Sequence, residues 1–135
     1  MHTPIKEVVR SEKAPKPIGP YSVGIQVGHL VFTAGQTGTD PATGELVPGG
    51  IEAENRQTLV NIKNILEAAG SSMDLVVKTT VFLRDIGEFS RMNAVYNEFF
   101  KENPPARTTV QVAALPKAAA VEIETIALRQ QPEIG

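Results

Sequence analysis

Two short stretches of this chain carry side chains suited to chemistry on a small carboxylate. The first runs Pro104-Pro105-Ala106-Arg107-Thr108-Thr109-Val110-Gln111-Val112. Paired prolines stop any preceding helix, because proline has no amide donor and restricts the residue before it. The β-branched Thr108, Thr109, Val110 and Val112 then read as a strand. Arg107 stands at its loop-side edge, where a rigid scaffold can aim a side chain at a ligand. Its planar guanidinium grips a carboxylate through two parallel hydrogen bonds, a geometry lysine does not reproduce. An arginine there equally suits a surface contact with a neighbouring acid. The second stretch is Val121-Glu122-Ile123-Glu124-Thr125-Ile126, where strand alternation puts Glu122 and Glu124 on one face. Two acids so placed either face solvent or set one carboxylate in a cleft. There desolvation raises its pKa and fits it for proton transfer.

The elements that must position these residues follow from pattern. Residues 6–10 read as a short edge strand, and 14–20, with three prolines and a glycine, must be irregular. Residues 23–27 and 30–34 read as two strands joined at Gly28-His29. Residues 37–50 form a loop with one tight turn. Leu59, Ile62, Leu66 and Ala69 recur at helical steps, so the spacing predicts a helix over 51–69 with Gly70 just past its end. Residues 75–83, rich in Val and Thr, read as a central strand. Phe89, Met92, Val95, Tyr96, Phe99 and Phe100 mark a second helix, stopped by Asn103-Pro104. Residues 115–119 turn the chain into a final strand over 121–128.

The resulting order, β, β, β, α, β, α, β, β, excludes a purely parallel sheet, because the terminal hairpins need antiparallel pairs. It suggests an α+β domain with one mixed sheet and both helices on one face. Thr79, Val81, Val110, Val112, Ile123 and Ile126 cannot all point at two helices. An uncovered apolar sheet face implies a partner, so a homo-oligomer is expected.

Composition narrows the function classes. The 135 residues fit a single domain over 1–135, with an edge strand within 1–13 and a loose tail at 129–135. Charged residues are 21% and hydrophobic ones 41%, which argues against disorder. No apolar run approaches a membrane span, and the N-terminus lacks a secretory signal pattern. With no cysteine there is no thiolate chemistry and no disulfide framework, so a cytoplasmic protein is expected. A net charge of −2 predicts no strong attraction to phosphate backbones, hence no nucleic-acid partner and no membrane partner. His2 and His29 lie on an end and a turn without ligand spacing, and no metal or other cofactor is expected. Ser22 and Ser90 have no base at recognisable spacing, and Gly49-Gly50 lacks the lysine of a phosphate loop.

Taken together, the motifs Ile18-Gly19-Pro20-Tyr21-Ser22, Gly35-Gln36, Asn61-Ile62 with Ala68-Ala69-Gly70, Val77-Lys78-Thr79-Thr80-Val81-Phe82, Asn93-Ala94-Val95-Tyr96, Pro105-Ala106-Arg107-Thr108 and Val121-Glu122-Ile123-Glu124 resemble, in order and spacing, the Rid/YjgF family. These are the reactive enamine/imine intermediate deaminases, also catalogued as L-PSP endoribonucleases. The resemblance implies a chorismate-mutase-like fold, a six-stranded mixed sheet with two helices on one face, in a homotrimer. It implies a 2-iminobutanoate/2-iminopropanoate deaminase that releases ammonia and a 2-oxo acid without a metal.

The same resemblance assigns the site. Arg107 is similar to the arginine that clamps the substrate carboxylate, and Glu122 to the glutamate that activates the hydrolytic water. Tyr21 resembles the pocket tyrosine whose hydroxyl meets the reacting group. Gly35 and Thr109 would supply main-chain contacts, and Asn93 and Phe89 would come from the wall that a neighbouring subunit completes. Thr109 departs from the cysteine of founding members. By the same resemblance its amide would keep the carboxylate contact, while its branched side chain would trim the pocket. Gln111 stands where glutamate is common, and is expected to be a sheet-surface change without consequence. Two other classes fit less of the pattern: a non-catalytic trimer binding a small carboxylate, chaperone-like or sensing, and an endoribonuclease.

Overall fold

Strand alternation and helical period sort the chain into six strands and two helices, which the computed structural model describes over residues 5–130. His2 and residues 131–135 of the expected loose tail lie outside that range. Strands β1 (Glu7–Val9), β2 (Gly24–Val27) and β3 (Leu30–Thr33) form an antiparallel meander. Gly28 holds the β2–β3 turn at φ 57, a value glycine adopts at no steric cost. Helix α1 (Gly50–Ala68) follows the predicted stripe, with Leu59, Ile62, Ile65 and Leu66 at 0% exposure. Each such side chain contributes about 1.5–3 kcal/mol on leaving water. The helix ends at the expected glycine: the Ser71 amide donates to the Leu66 carbonyl at 2.8 Å and the Gly70 amide to Glu67 at 3.1 Å. That paired closure satisfies carbonyls the helix would otherwise leave open.

Strand β4 (Val76–Leu83), helix α2 (Phe89–Phe99), strand β5 (Ala106–Gln111) and strand β6 (Val121–Leu128) complete the chain. Helix α2 stops a turn before Asn103-Pro104, because the chain leaves helical geometry at Phe100 and turns at Asn103, whose φ is 47. The sheet order is β1-β2-β3-β6-β4-β5, parallel only between β4 and β5 and antiparallel elsewhere. The parallel pair needs a crossover, and α2 supplies it.

Both helices cover one sheet face. Val31, Thr79, Val81, Leu83, Val121, Ile123, Thr125 and Ala127 point into that layer and are buried. Gly24 allows the close approach of α1, since a Cβ there would lie 3.0 Å from Ile65 Cγ2. The other face has no covering layer. Cross-strand pairing sets Val8, Ile25, Phe32 and Ile126 side by side across four strands on it. Of the six residues expected to divide, Thr79, Val81 and Ile123 turn to the helices, while Val110 and Ile126 turn away. No helix among the described residues is long and apolar enough to cross a membrane.

Candidate functional site

Arg107 is the second residue of β5, one step further into the strand than its sequence context suggests. It pairs in register with Thr79 of β4 and so points to the helix side. There its Cζ sits 4.8 Å from the centre of the Tyr96 ring and 5.4 Å from that of Phe89. Two aromatic rings fix the guanidinium and strip water from it, leaving its N–H edge for a planar anion. Among the described residues no carboxylate forms an ion pair with it, so the surface-pair alternative has no partner. Tyr96 is itself held: its hydroxyl shares a 2.8 Å hydrogen bond with buried Thr79 Oγ1. Burial pushes the Tyr96 hydroxyl pKa up, against the opposing pulls of Thr79 and the Arg107 charge.

Arg107, Asn93 and Tyr96 line one cleft of about 450 Å³. Asn93 Oδ1 and Thr109 Oγ1 are buried and find no hydrogen-bond partner among the described residues. Unpaired buried polar atoms are uncommon and point to a missing partner. Helix α2, which carries Phe89, Asn93 and Tyr96, is oriented on α1 by Asn55, whose Nδ2 donates to the Met92 carbonyl at 2.9 Å. An Arg91–Glu52 ion pair at 2.6 Å joins the same helices at the surface.

Glu122, Tyr21 and Gly35 line a different cleft, of about 410 Å³. Glu122 is half-buried, and burial first, then the Glu124 charge, pushes its carboxyl pKa up. Glu124 lies on the same face and is exposed. Gln36 bridges to Ile123 in both directions, at 2.8 and 3.0 Å, which holds the Gly35 backbone against the start of β6. The Tyr21 hydroxyl accepts a long 3.4 Å bond from the Ile18 amide, so its own proton remains available.

Within one chain the expected site residues therefore fall into two groups. Arg107 stands beside Thr79, whereas Glu122 pairs with Phe82, three residues on along the same strand. Successive side chains alternate faces, so positions 79 and 82 face opposite sides. Arg107, Thr109, Asn93 and Phe89 occupy the helix side; Glu122 occupies the open side, with Tyr21 and Gly35 at its cleft. This register leaves Arg107 and Glu122 of one chain on opposite sides of the sheet.

Sequence reasoning also missed two residues and discounted a third. Tyr96 counted only as part of a helix stripe, although it is the platform beneath Arg107. Lys117 lines the Glu122 cleft, and nothing in its local sequence marks it. Gln111 is not inconsequential: its Oε1 accepts the Ile86 amide at 2.8 Å, tying the end of β5 to the turn that launches α2.

Comparison with known proteins agrees with this fold. A family model described as endoribonuclease L-PSP matches residues 11–129. The chain is similar to a RutC family protein of Pyrococcus abyssi, 52% identical over 125 residues, which cover 93% of this chain and 98% of that one. It is also similar to the 2-iminobutanoate/2-iminopropanoate deaminase of Bos taurus, 48% identical over 129 residues, covering 96% and 94%. Among solved structures, that of E. coli TdcF with bound serine superposes with a TM-score of 0.88 at 42% identity, over 92% of this chain and 99% of the other.

Proposed function

Since the chain belongs to the endoribonuclease L-PSP family, we propose that it is a metal-independent deaminase that hydrolyses small 2-imino acids, such as 2-iminobutanoate and 2-iminopropanoate, to 2-oxo acids and ammonia. The observation that carries this reading is the pair of half-sites on opposite sheet faces. One holds a cation without an acid partner among the described residues, and the other holds an acid whose proton affinity is raised by burial. A second copy of the chain brings the two together, and a homotrimer joins three such pairs around the uncovered sheet faces. The imine deaminase name of the bovine relative and the serine bound to E. coli TdcF support a small ligand of amino-acid type.

In this reading Arg107 of one subunit clamps the substrate carboxylate, with the Thr109 amide beside it. The carbon of the C=N bond then faces the neighbouring Glu122. Glu122 takes a proton from water as its oxygen bonds to that carbon, giving a carbinolamine. That proton goes to the imine nitrogen as the carbinolamine forms. The carbinolamine hydroxyl proton then moves through Glu122 to the same nitrogen, the C–N bond breaks as C=O forms, and ammonia leaves with the 2-oxo acid behind. Tyr21 donates a hydrogen bond from its hydroxyl to the reacting group. Orientation supplies much of the rate, since the reactants are held rather than meeting by diffusion. Asn93 Oδ1, unpaired in the Arg107 cleft, suits an N–H of the substrate.

A non-catalytic carboxylate binder would use Arg107 in the same way, and Glu122 separates the two readings. A negative net charge gives RNA no electrostatic footprint. A cytoplasmic location suits an enzyme acting on short-lived metabolites. The test is release of ammonia and 2-oxo acid from freshly generated 2-iminopropanoate, with and without the protein, alongside light scattering. Acceleration by a species of three chains is expected. An unchanged rate from that species favours the binder, and a stable monomer at micromolar concentration removes the shared site.

A further inference from the structure

Lys117 and Ala118 have φ values of 56 and 57, two successive residues with a Cβ in the left-handed region. Such a pair is disfavoured by the clash between Cβ and carbonyl oxygen, and it persists only where the surroundings impose it. Here two cations do so. The Lys117 ammonium donates to the carbonyl of Gly44 across the Glu122 cleft. The Arg84 guanidinium donates to the Ala118 carbonyl at 2.8 Å. The next residues are anchored in turn: the Ala120 amide donates to the buried Glu54 carboxylate at 2.9 Å, and the Ala120 carbonyl accepts the Arg84 amide at 3.1 Å. Val121 then begins β6, and Glu122 is its second residue.

We propose that Arg84 and Lys117 are positioning residues, which hold the Pro116–Ala118 turn in its left-handed form and so set the Glu122 carboxylate in its half-buried place against Gly35. Relaxation of the turn would pull on the Ala120 anchors and shift the first residues of β6. Glu122 would gain water and leave its position. Ile123 stays pinned to Gln36 on the downstream side, so a shift passed on through Ala120 falls on Val121 and Glu122. The consequence for turnover rests on the deaminase reading; the consequence for the carboxyl group does not.

The test uses Arg84→Met and Lys117→Met in the full chain, with Arg84→Lys as the variant that keeps a donor. The Glu122 carboxyl is titrated by carbon NMR, its signal assigned by comparison with Glu122→Gln. The charged and titratable groups facing it are Glu124 on its own strand, Tyr21, Lys16 and Lys117 around the cleft and, in the proposed assembly, Arg107 of the second copy, which every variant keeps. Removing a cation by itself moves an acid's pKa upward or leaves it. A loosened turn admits water and moves it downward. The expected result is a downward move in both Met variants, with kcat lower by about 10–100-fold, as misplacement by about 1 Å costs. KM should change by less than about twofold, and Arg84→Lys should recover most of the rate. A carboxyl that stays or moves upward overturns the proposal, as does a loss of kcat that tracks a loss of folded protein. A wild-type protein without imine hydrolysis would sink the deaminase reading, while the titration would still decide the positioning role.

Discussion

Gly35 and Glu122 approach so closely that no side chain fits between them: a Cβ on Gly35 would lie 2.5 Å from Glu122 Oε2 and 2.8 Å from its Cδ. Space, and not an unusual φ, demands glycine here. The carboxylate is the flexible partner and would yield to an added methyl group. Gly35→Ala should therefore lower kcat by about 10–100-fold through displaced geometry. The thermal midpoint should barely move, because a half-exposed side chain absorbs the clash. Melting and steady-state kinetics on the same preparation check both halves, and a large fall in Tm with normal kcat would contradict the argument.

Glu122→Gln keeps size and most hydrogen bonds but removes the basic oxygen. General bases contribute about 10²–10⁴-fold, so turnover should fall by that factor. Binding of an unreactive 2-oxo acid should hold, since Arg107 still grips its carboxylate. Glu124→Gln is the control, and its exposed position predicts near-normal kinetics. Equal small effects from both would favour the non-catalytic binder.

The raised pKa of Glu122, caused by burial and then by Glu124, has a sign in stability. The folded state holds that proton more tightly than the unfolded state. Between the ordinary carboxylate value, about 4.3, and the raised one, the folded state binds more protons, so stability falls as pH rises through that window. Glu122→Gln should thus melt higher than wild type at pH 7 and equal it below the carboxylate range. On the deaminase reading activity has the opposite slope, because Glu122 must be ionised to act as a base: kcat/KM should rise through the raised value. Melting curves and rate profiles against pH measure the two trends.

Arg107→Lys keeps the charge and loses the two-pronged edge. Hydrogen bonds to charged groups contribute about 1.5–3 kcal/mol, which corresponds to about 10–100-fold in kcat/KM. The loss should appear mainly as weaker capture, because ground state and transition state both carry the carboxylate. Kinetics equal to wild type would return Arg107 to a surface role.

Tyr96→Phe keeps the ring beneath Arg107 but leaves Thr79 Oγ1 buried without its 2.8 Å partner. An orphaned buried hydroxyl costs about 1–3 kcal/mol. Denaturant unfolding should show that loss, while kcat/KM stays within about twofold. Adding Thr79→Val removes the orphan and should restore most of the stability.

Much of this molecule was legible in local pattern, for a local reason. The stripe at Leu59, Ile62 and Leu66 and the glycine at 70 specify where α1 runs and how it closes, because helical contacts and caps lie within a few residues. Alternation in Val121-Glu122-Ile123-Glu124 likewise settles that the two acids share a face. The placement of Arg107 relative to Glu122 is of another kind. Each strand reveals its own alternation, but their relation depends on the register each adopts against β4, which sets Arg107 beside Thr79 and Glu122 beside Phe82. That register is decided by packing of the whole helix layer and by a crossover through α2. The same holds for Tyr96 beneath Arg107, for Gln111 on the Ile86 amide and for Lys117 across to Gly44. Those contacts join residues from 11 to 73 positions apart, and only the folded chain brings them within reach.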